Sequence, residues 1–561
     1  MKKQITLYIL LWLIVASVNL LAQPILSVSE SKKLVEKTYL LTDRDIYCVD
    51  EKINFSAINI SSPELREPEW SSVLYLELIT PDGQLIARRK CAYDKDGASG
   101  TIKIPTGTLT GNYYLRAYTR WMRDFSPYDY FYKLVTVINP FRPESLESSN
   151  ISNAQNNTNA SQSLDSMKVG LISGSLKLSA KEQANFSLRI DEPDLMDNKY
   201  ALSVVPSGSG SLITPEIRKT RDFEFSPDFI PETRGLSISG RVVSENDSIP
   251  MPYTLVGLTV FKESPEILNV RTNEKGQFYF DLSKLNGEFE IFISAKADVD
   301  KKPLILVDND FSNAPVDLPF VPLSLSIETK ELYQKLAFSS QIHTLYRQQL
   351  VNEIMEDSVE TRAFYGEPEF ALKLADYVSL PSISEYFYEL VPSVRLKRDG
   401  KVNTLKVLGN YPELAIYDPL VLLDMVPIFD ADKILALDPE RVSRIEVMTV
   451  PYIRGDIVFG GIISLFSKKG DMAGINLPEN GRFINYSMFS KSQPTDPQRL
   501  DKHIPDVNNC LYWNESLNPD KSGRFSFSFN TGNNCGQYCI LLQSVTPEGK
   551  RKVVRIPISI E

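Results

Sequence analysis

The sequence predicts a mainly β, multidomain chain in which several Ig-like β-sandwiches accompany one small α+β domain. Three observations carry this expectation. Val, Ile, Phe, Tyr and Thr recur in short alternating runs bounded by Gly, Asn, Asp and Pro, with 35 prolines in 561 residues, the punctuation of consecutive strands. At ~100 to 150 residues per domain the length corresponds to four or five domains. Residues 144–166, ESLESSNISNAQNNTNASQSLDS, hold too few large apolar side chains to fold and read as a flexible linker.

Residues 1–23 open with Lys2 and Lys3, continue through an apolar run from Leu7 to Ala16 and end on small residues around Ala22. That is the pattern of a secretory signal peptide. The competing reading is a retained anchor, which polar Ser17 and Asn19 weaken. No later segment resembles a second span, so no integral membrane span is expected after cleavage. The net charge of -10 excludes nucleic acid as a partner, because no concentrated basic face exists to displace counterions.

In residues 37–140, INFSA places Ile53, Phe55 and Ala57 on one face, VLYLEL does so with Leu74, Leu76 and Leu78, and NYYLRAYT with Tyr113, Leu115 and Ala117. Period-two alternation predicts antiparallel strands with one buried face. TPDGQ supplies a turn between two of them. The segments TDRDIYCVDEKINFSA and GNYYLRAYTRWMRDF resemble the macroglobulin-type (MG2-like) β-sandwich of exported Bacteroidetes proteins. Asp50 stands where that domain usually has glycine before the glutamate.

Residues 167–212 contain GSLKLS, ANFSLRI and YALSVVP and predict a second, small sandwich. Residues 234–310, with SISGRVVSENDSIPMPYTLVGLTVF, RTNEKGQFYFDL and GEFEIFISA, resemble the carboxypeptidase regulatory-like domain, an accessory β-sandwich that implies no peptidase activity. Gly276 fits its hairpin turn. Residues 327–355 break the β rhythm, with Leu332, Leu336 and Ile342 at helical spacing, and predict a connecting helix.

Residues 380–471 read as helix, strand, short helix, strand, Gly-rich turn, strand. Pro381 and Ser382 suit a helix start, and Leu420 to Leu423, Ile445 to Val447 and Ile462 to Phe466 read as buried strands. Through ILALDPERVSRIEV and FGGIISLFSKKG the segment resembles the plug domain of TonB-dependent outer-membrane receptors. Met425 stands where plugs usually carry glycine after the aspartate, which predicts an altered turn. A receptor barrel needs roughly 22 strands of about 9 to 11 residues, and the 90 residues from 472 to 561 are too few. Residues 505–561 read as a C-terminal sandwich in which Phe525, Phe527 and Phe529 alternate with polar residues.

Chemistry is sparse. His343 and His503 are the chain's 2 histidines, and neither has a catalytic or metal motif around it. DKDGASG at 94–100 begins like a calcium loop but reaches Pro105 where a bidentate glutamate is needed, so it reads as a turn. No thioester run, HExxH helix or phosphate loop is present. No catalytic residue, cofactor or metal site is expected, and the chain reads as a non-enzyme. Arg116, Tyr118, Arg120, Trp121 and Arg123 have the composition of a binding hot spot and form the candidate interaction surface; packing of the same side chains at a sandwich edge is the favoured reading of the stretch. Cys48, Cys91, Cys510 and Cys535 are candidate disulfide cysteines of an exported chain.

The resemblances together imply an exported interaction or accessory subunit, periplasmic or associated with the outer membrane, whose partner is an envelope protein such as an outer-membrane barrel or its assembly. The alternative is a cell-surface adhesin or secreted cargo protein.

Overall fold

The computed structural model describes residues 36–60, 71–94, 97–142, 167–192, 199–210, 212–217, 228–262, 264–282, 285–296, 301–323, 326–347, 364–399, 402–409, 416–454, 457–474, 481–490, 505–546 and 549–561. The signal-peptide segment 1–23 and the linker 144–166 lie outside them. The chain divides into two compact units: residues 1–233 with 314–348 and 492–561, and residues 234–313 with 349–491. The protein is multidomain and mostly β. Among the described residues no helix is long and apolar enough to cross a membrane.

The first unit contains two sandwiches. In one, a three-stranded sheet (Thr38–Thr42, Lys52–Asn59, Ala98–Lys103) faces a five-stranded sheet in the order Ile46–Cys48, Phe131–Ile138, Gly111–Tyr118, Val73–Ile79, Leu85–Ala92. The alternation read from sequence holds, since Ile53, Phe55, Ala57, Leu74, Leu76, Leu78, Tyr113, Leu115 and Ala117 share one core. The opposite face of the larger sheet is buried too: Tyr75, Glu77, Ile79, Tyr114, Arg116 and Tyr118 are each at most 4% exposed. Single-face burial is therefore corrected here, because other segments of the same unit cover the outer face.

The second sandwich corrects the expected boundaries. Residues 167–212 and 505–561 are one domain, not two: Gln183–Ile190 pairs with Arg524–Asn530, and Lys199–Pro206 lies between Gly536–Val545 and Tyr512–Leu517. Phe525, Phe527 and Phe529 fill a core with Phe186, Leu188 and Val204. Neither segment alone supplies two apolar sheet faces, so each completes the other.

The expected connecting helix runs Ile327–Arg347 and buries Tyr333 and Leu336 against Ile46, Cys48 and Ile138; the rest of 327–355 lies outside the described residues, as does the side chain of His343 and all of His503.

In the second unit, residues 234–310 form a sandwich of sheets Gln277–Asp281, Ser237–Ser244, Pro303–Val307 and Glu266–Arg271, Leu255–Val260, Glu288–Ala295, Arg482–Ser487. The last strand comes from beyond residue 471, so this domain closes only after the intervening segment has been made. That segment forms a mixed five-stranded sheet, Phe370–Lys373, Val442–Met448, Ile462–Ser467, Leu420–Leu423, Val426–Pro427, with helices Ile383–Leu390 and Ala431–Leu435. Ser382 caps the first helix by accepting from the Glu385 amide. Leu420 to Leu423 pair in parallel with Ile462 to Leu465, and Ile445, Ile463 and Leu465 are fully buried.

Candidate functional site

The five residues of the candidate interaction surface are brought together, but largely inside the protein. Alternation along Gly111–Tyr118 points Arg116 and Tyr118 away from the sandwich core. Arg116 Nε donates to Glu77 Oε2 at 2.7 Å, and Tyr118 Oη donates to the same oxygen at 2.8 Å. Burial opposes the Arg116 charge, yet the bond to Glu77 outweighs it and holds the guanidinium above its ordinary value. Tyr118 stacks between Tyr75 and Tyr130. Arg120 is 1% exposed and lies 3.5 Å from Glu232, whose other oxygen accepts from Tyr75 Oη at 2.8 Å. Trp121 is buried with its ring edge-on to Phe125, and Arg123 lies 3.9 Å above the Phe229 ring.

Four of the five are thus buried and serve as an internal buttress, as the packing reading expects, which corrects their candidacy as an open interaction surface. Large aromatic and guanidinium groups satisfy a sheet face as well as a partner, and composition does not distinguish the two. Segment 228–233 lies over this face, where Asp124 Oδ1 accepts from the amides of Asp228 and Phe229 at 2.9 and 3.0 Å. Burial pushes the Asp124 carboxyl up to about 7, against the pull of those two amides.

The cysteine expectation is corrected as well: all five cysteines are free thiols. Cys91 points into the core of the first sandwich, whereas Cys48 points to its other side, under the helix. Cys510 lines a polar cleft of about 260 Å³ with Arg44, Asp50, Glu51 and Asn509. Arg44 bonds Asp43 at 2.8 Å and Glu51 at 2.7 Å there. Burial, reinforced by Asp43, pushes the Cys510 thiol up, the opposite of what a nucleophile needs. Asp94 and Gly97 exchange backbone hydrogen bonds of 3.1 and 2.9 Å, which closes the expected turn.

Sequence reasoning did not find a larger cleft, about 730 Å³, within the second unit. Leu255, Val421, Ile428, Ile457 and Phe459 form its floor, and Arg271, Lys296, Lys301, Asp418, Tyr253 and Tyr417 stand around it. Asp418 sits 3.0 Å from Lys406 Nζ and 3.5 Å from Lys296 Nζ. Burial raises its carboxyl, but the two lysines prevail and hold it below the ordinary carboxylate value. Its described lining includes no histidine, cysteine or serine. An apolar floor with cations, carboxylates and tyrosines at the rim suits the holding of a ligand or partner segment. The residues come from strands and loops up to about 200 positions apart, and no local pattern marks them.

No protein-family model and no curated protein matches the sequence. Among solved structures, Salmonella alpha-2-macroglobulin mutant Y1175G is similar over 94% of this chain and 39% of that one, at 8% identity and TM-score 0.23. The same macroglobulin reacted with methylamine matches over 93% and 23%, at 10% identity and TM-score 0.14. The BSP domain of a biofilm associated protein matches over 50% and 30%, at 10% identity and TM-score 0.13. The chain thus spans well under half the length of each, and at these TM-scores the likeness decides neither fold nor function.

Proposed function

We propose that the chain is an exported, non-enzymatic interaction subunit of a Bacteroidetes-type envelope, in which macroglobulin-like and regulatory-like sandwiches carry a plug-like domain that engages an outer-membrane barrel or its assembly. The observation that supports this most is local. The strands and helices between residues 370 and 474 close a mixed sheet over a core of Leu372, Ile383, Phe387, Leu423, Ile445 and Leu465, to which the adjoining sandwich adds Phe292, and the turn between Leu423 and Val426 is made by Asp424 and Met425 at φ 46° and 66°. Two successive left-handed residues are the backbone of a two-residue hairpin that ordinarily takes glycine. The resemblance to plug domains expects glycine at position 425, and the altered turn expected from Met425 is corrected: the methionine itself takes the left-handed backbone. A parallel holds in the first sandwich, where Asp50, at the other expected glycine, has φ 67°.

Several modules on one chain engage separate surfaces of a partner, and effective concentration strengthens each contact. Purification of the tagged chain from its native envelope in mild detergent, with identification of what accompanies it, tests the proposal. A co-purifying β-barrel is the expected result. Full loss of the chain from intact cells shaved with protease, together with no barrel in the eluate, would instead indicate an adhesin.

A further inference from the structure

We propose that the outer face of the five-stranded sheet is a recognition groove for an extended, proline-stiffened segment, filled in cis by residues 314–322 and open to such a segment from a partner polypeptide. The cis occupant reads APVDLPFVP, with prolines at 315, 319 and 322. Each proline fixes its own φ and forces the residue before it into extended backbone, so Ala314, Leu318 and Val321 cannot turn into helix. No regular secondary structure is formed over 312–323.

The groove reads this segment through its carbonyls. Tyr114 Oη donates to Pro319 O at 2.7 Å, and Asn112 Nδ2 donates to Val321 O at 3.1 Å and Pro322 O at 3.4 Å. Leu318 N donates to Pro81 O at 2.9 Å, and Asp317 N to Tyr128 Oη at 3.3 Å. Tyrosine and asparagine donors thus read an extended backbone that the prolines pre-set, and the prolines stiffen the segment rather than fill pockets: Pro315 and Pro322 are exposed and Pro319 is half-buried. A strand joining the sheet would instead exchange a ladder of backbone bonds.

Two side chains anchor the segment: Val316 is 6% exposed and Leu318 3%, while Phe320 between the carbonyl contacts is 80% exposed. The Val316 socket is shaped by Gly83, at φ 86°, where an added Cβ would stand 3.1 Å from Val316 Cγ2. Residue 314 is also where the chain re-enters the first unit after residue 313 of the second. A partner's segment therefore competes against an occupant held at high effective concentration by its place in the chain.

The probe is a fluorescein-labelled peptide of sequence APVDLPFVPL, used with the full chain. Val316→Ser with Leu318→Ser removes both cis anchors and leaves every groove residue in place. Saturable anisotropy binding is expected for that double variant and little for the wild type. Adding Tyr114→Phe is expected to weaken binding roughly three- to tenfold, and a peptide with alanine in place of its second and third prolines should bind worse than the parent. A double variant with the wild-type circular dichroism and no saturable binding overturns the proposal, as does binding indifferent to those prolines. Should the double variant misfold, hydrogen exchange on the wild type decides: excess peptide must accelerate exchange at 316–321, and unchanged exchange overturns the proposal.

Discussion

Replacing Arg116 by methionine strips the guanidinium from a carboxylate that is 3% exposed. The pair is direct, 2.7 Å from Nε to Oε2, and the arginine side chain is itself only 4% exposed. Removing one member of a buried ion pair costs about 3–5 kcal/mol, because the remaining charge is left in a poorly solvated site. Tyr118 still donates to Glu77, which offsets roughly 1 kcal/mol, so about 3 kcal/mol is expected. Pairing Arg116→Met with Glu77→Gln removes the stranded charge while keeping an acceptor for Tyr118, and recovers about 2 kcal/mol of that loss, a roughly 30-fold change in a local opening constant. Because two units need not unfold together, hydrogen exchange of segments 73–79 and 111–118 in the full chain is a better reporter than a global melt. Arg116→Met should exchange fastest, the double variant at an intermediate rate. A single variant no faster than wild type would mean that the pair behaves like a surface ion pair, and the buttress reading would fail.

Asp124→Asn tests the covered face through pH. The Asp124 carboxyl is raised from 3.8 to about 7 by burial, so the folded state binds its proton more tightly, and that contribution is full below pH 3.8 and lost as pH rises through about 7. Relative to wild type, the variant should gain stability from pH 5 to 7 by at most about 1.4 kcal/mol per pH unit and level off above; a pH-independent difference would contradict the shift, with Arg123 and Asp228 as the charged neighbours to check. Met425→Gly relieves a left-handed residue, worth about 1 kcal/mol, but deletes a side chain only 6% exposed, worth about 2–5 kcal/mol. Net loss is expected in thermal unfolding, and a net gain would show that Met425 does not pack. Thiol titration in denaturant without reductant should give five free thiols, with native labelling led by exposed Cys535; a count lower by two would reveal a disulfide.

What the sequence made legible was local. Ile53, Phe55 and Ala57 alternate because their strand has an apolar side, and the same rule exposed Leu74, Leu76 and Leu78. The rule is silent on partners. Phe527 was readable as one face of a strand, yet its neighbour Phe186 lies in a strand more than 300 positions earlier, so two halves of one sandwich read as two domains. Arg116 and Arg120 admitted two readings for a related reason: their acids, Glu77 and Glu232, lie far from them in the chain. A signal was nevertheless present. Glu77 in VLYLELI and Lys133 in FYKLVTVI interrupt apolar runs, and both are buried in ion pairs, Lys133 with Asp45 at 2.7 Å. A charge inside a strand-like run points to a sheet covered on both sides. The cleft around Asp418 left no local signal, since its lining meets only through the fold.

Photo-crosslinking from the plug-like domain in living cells tests the central claim most directly. Tyr388, 67% exposed on helix Ile383–Leu390, and Ile416, 75% exposed beside the cleft, are suitable positions for a photoreactive residue, with Ile172 of the second sandwich, 44% exposed, as the comparison. Adducts from positions 388 or 416 to an outer-membrane β-barrel, absent from position 172, are the expected result. Crosslinking to no barrel from either plug-like position, in cells where position 172 yields adducts, would contradict a role for that domain beside outer-membrane pores.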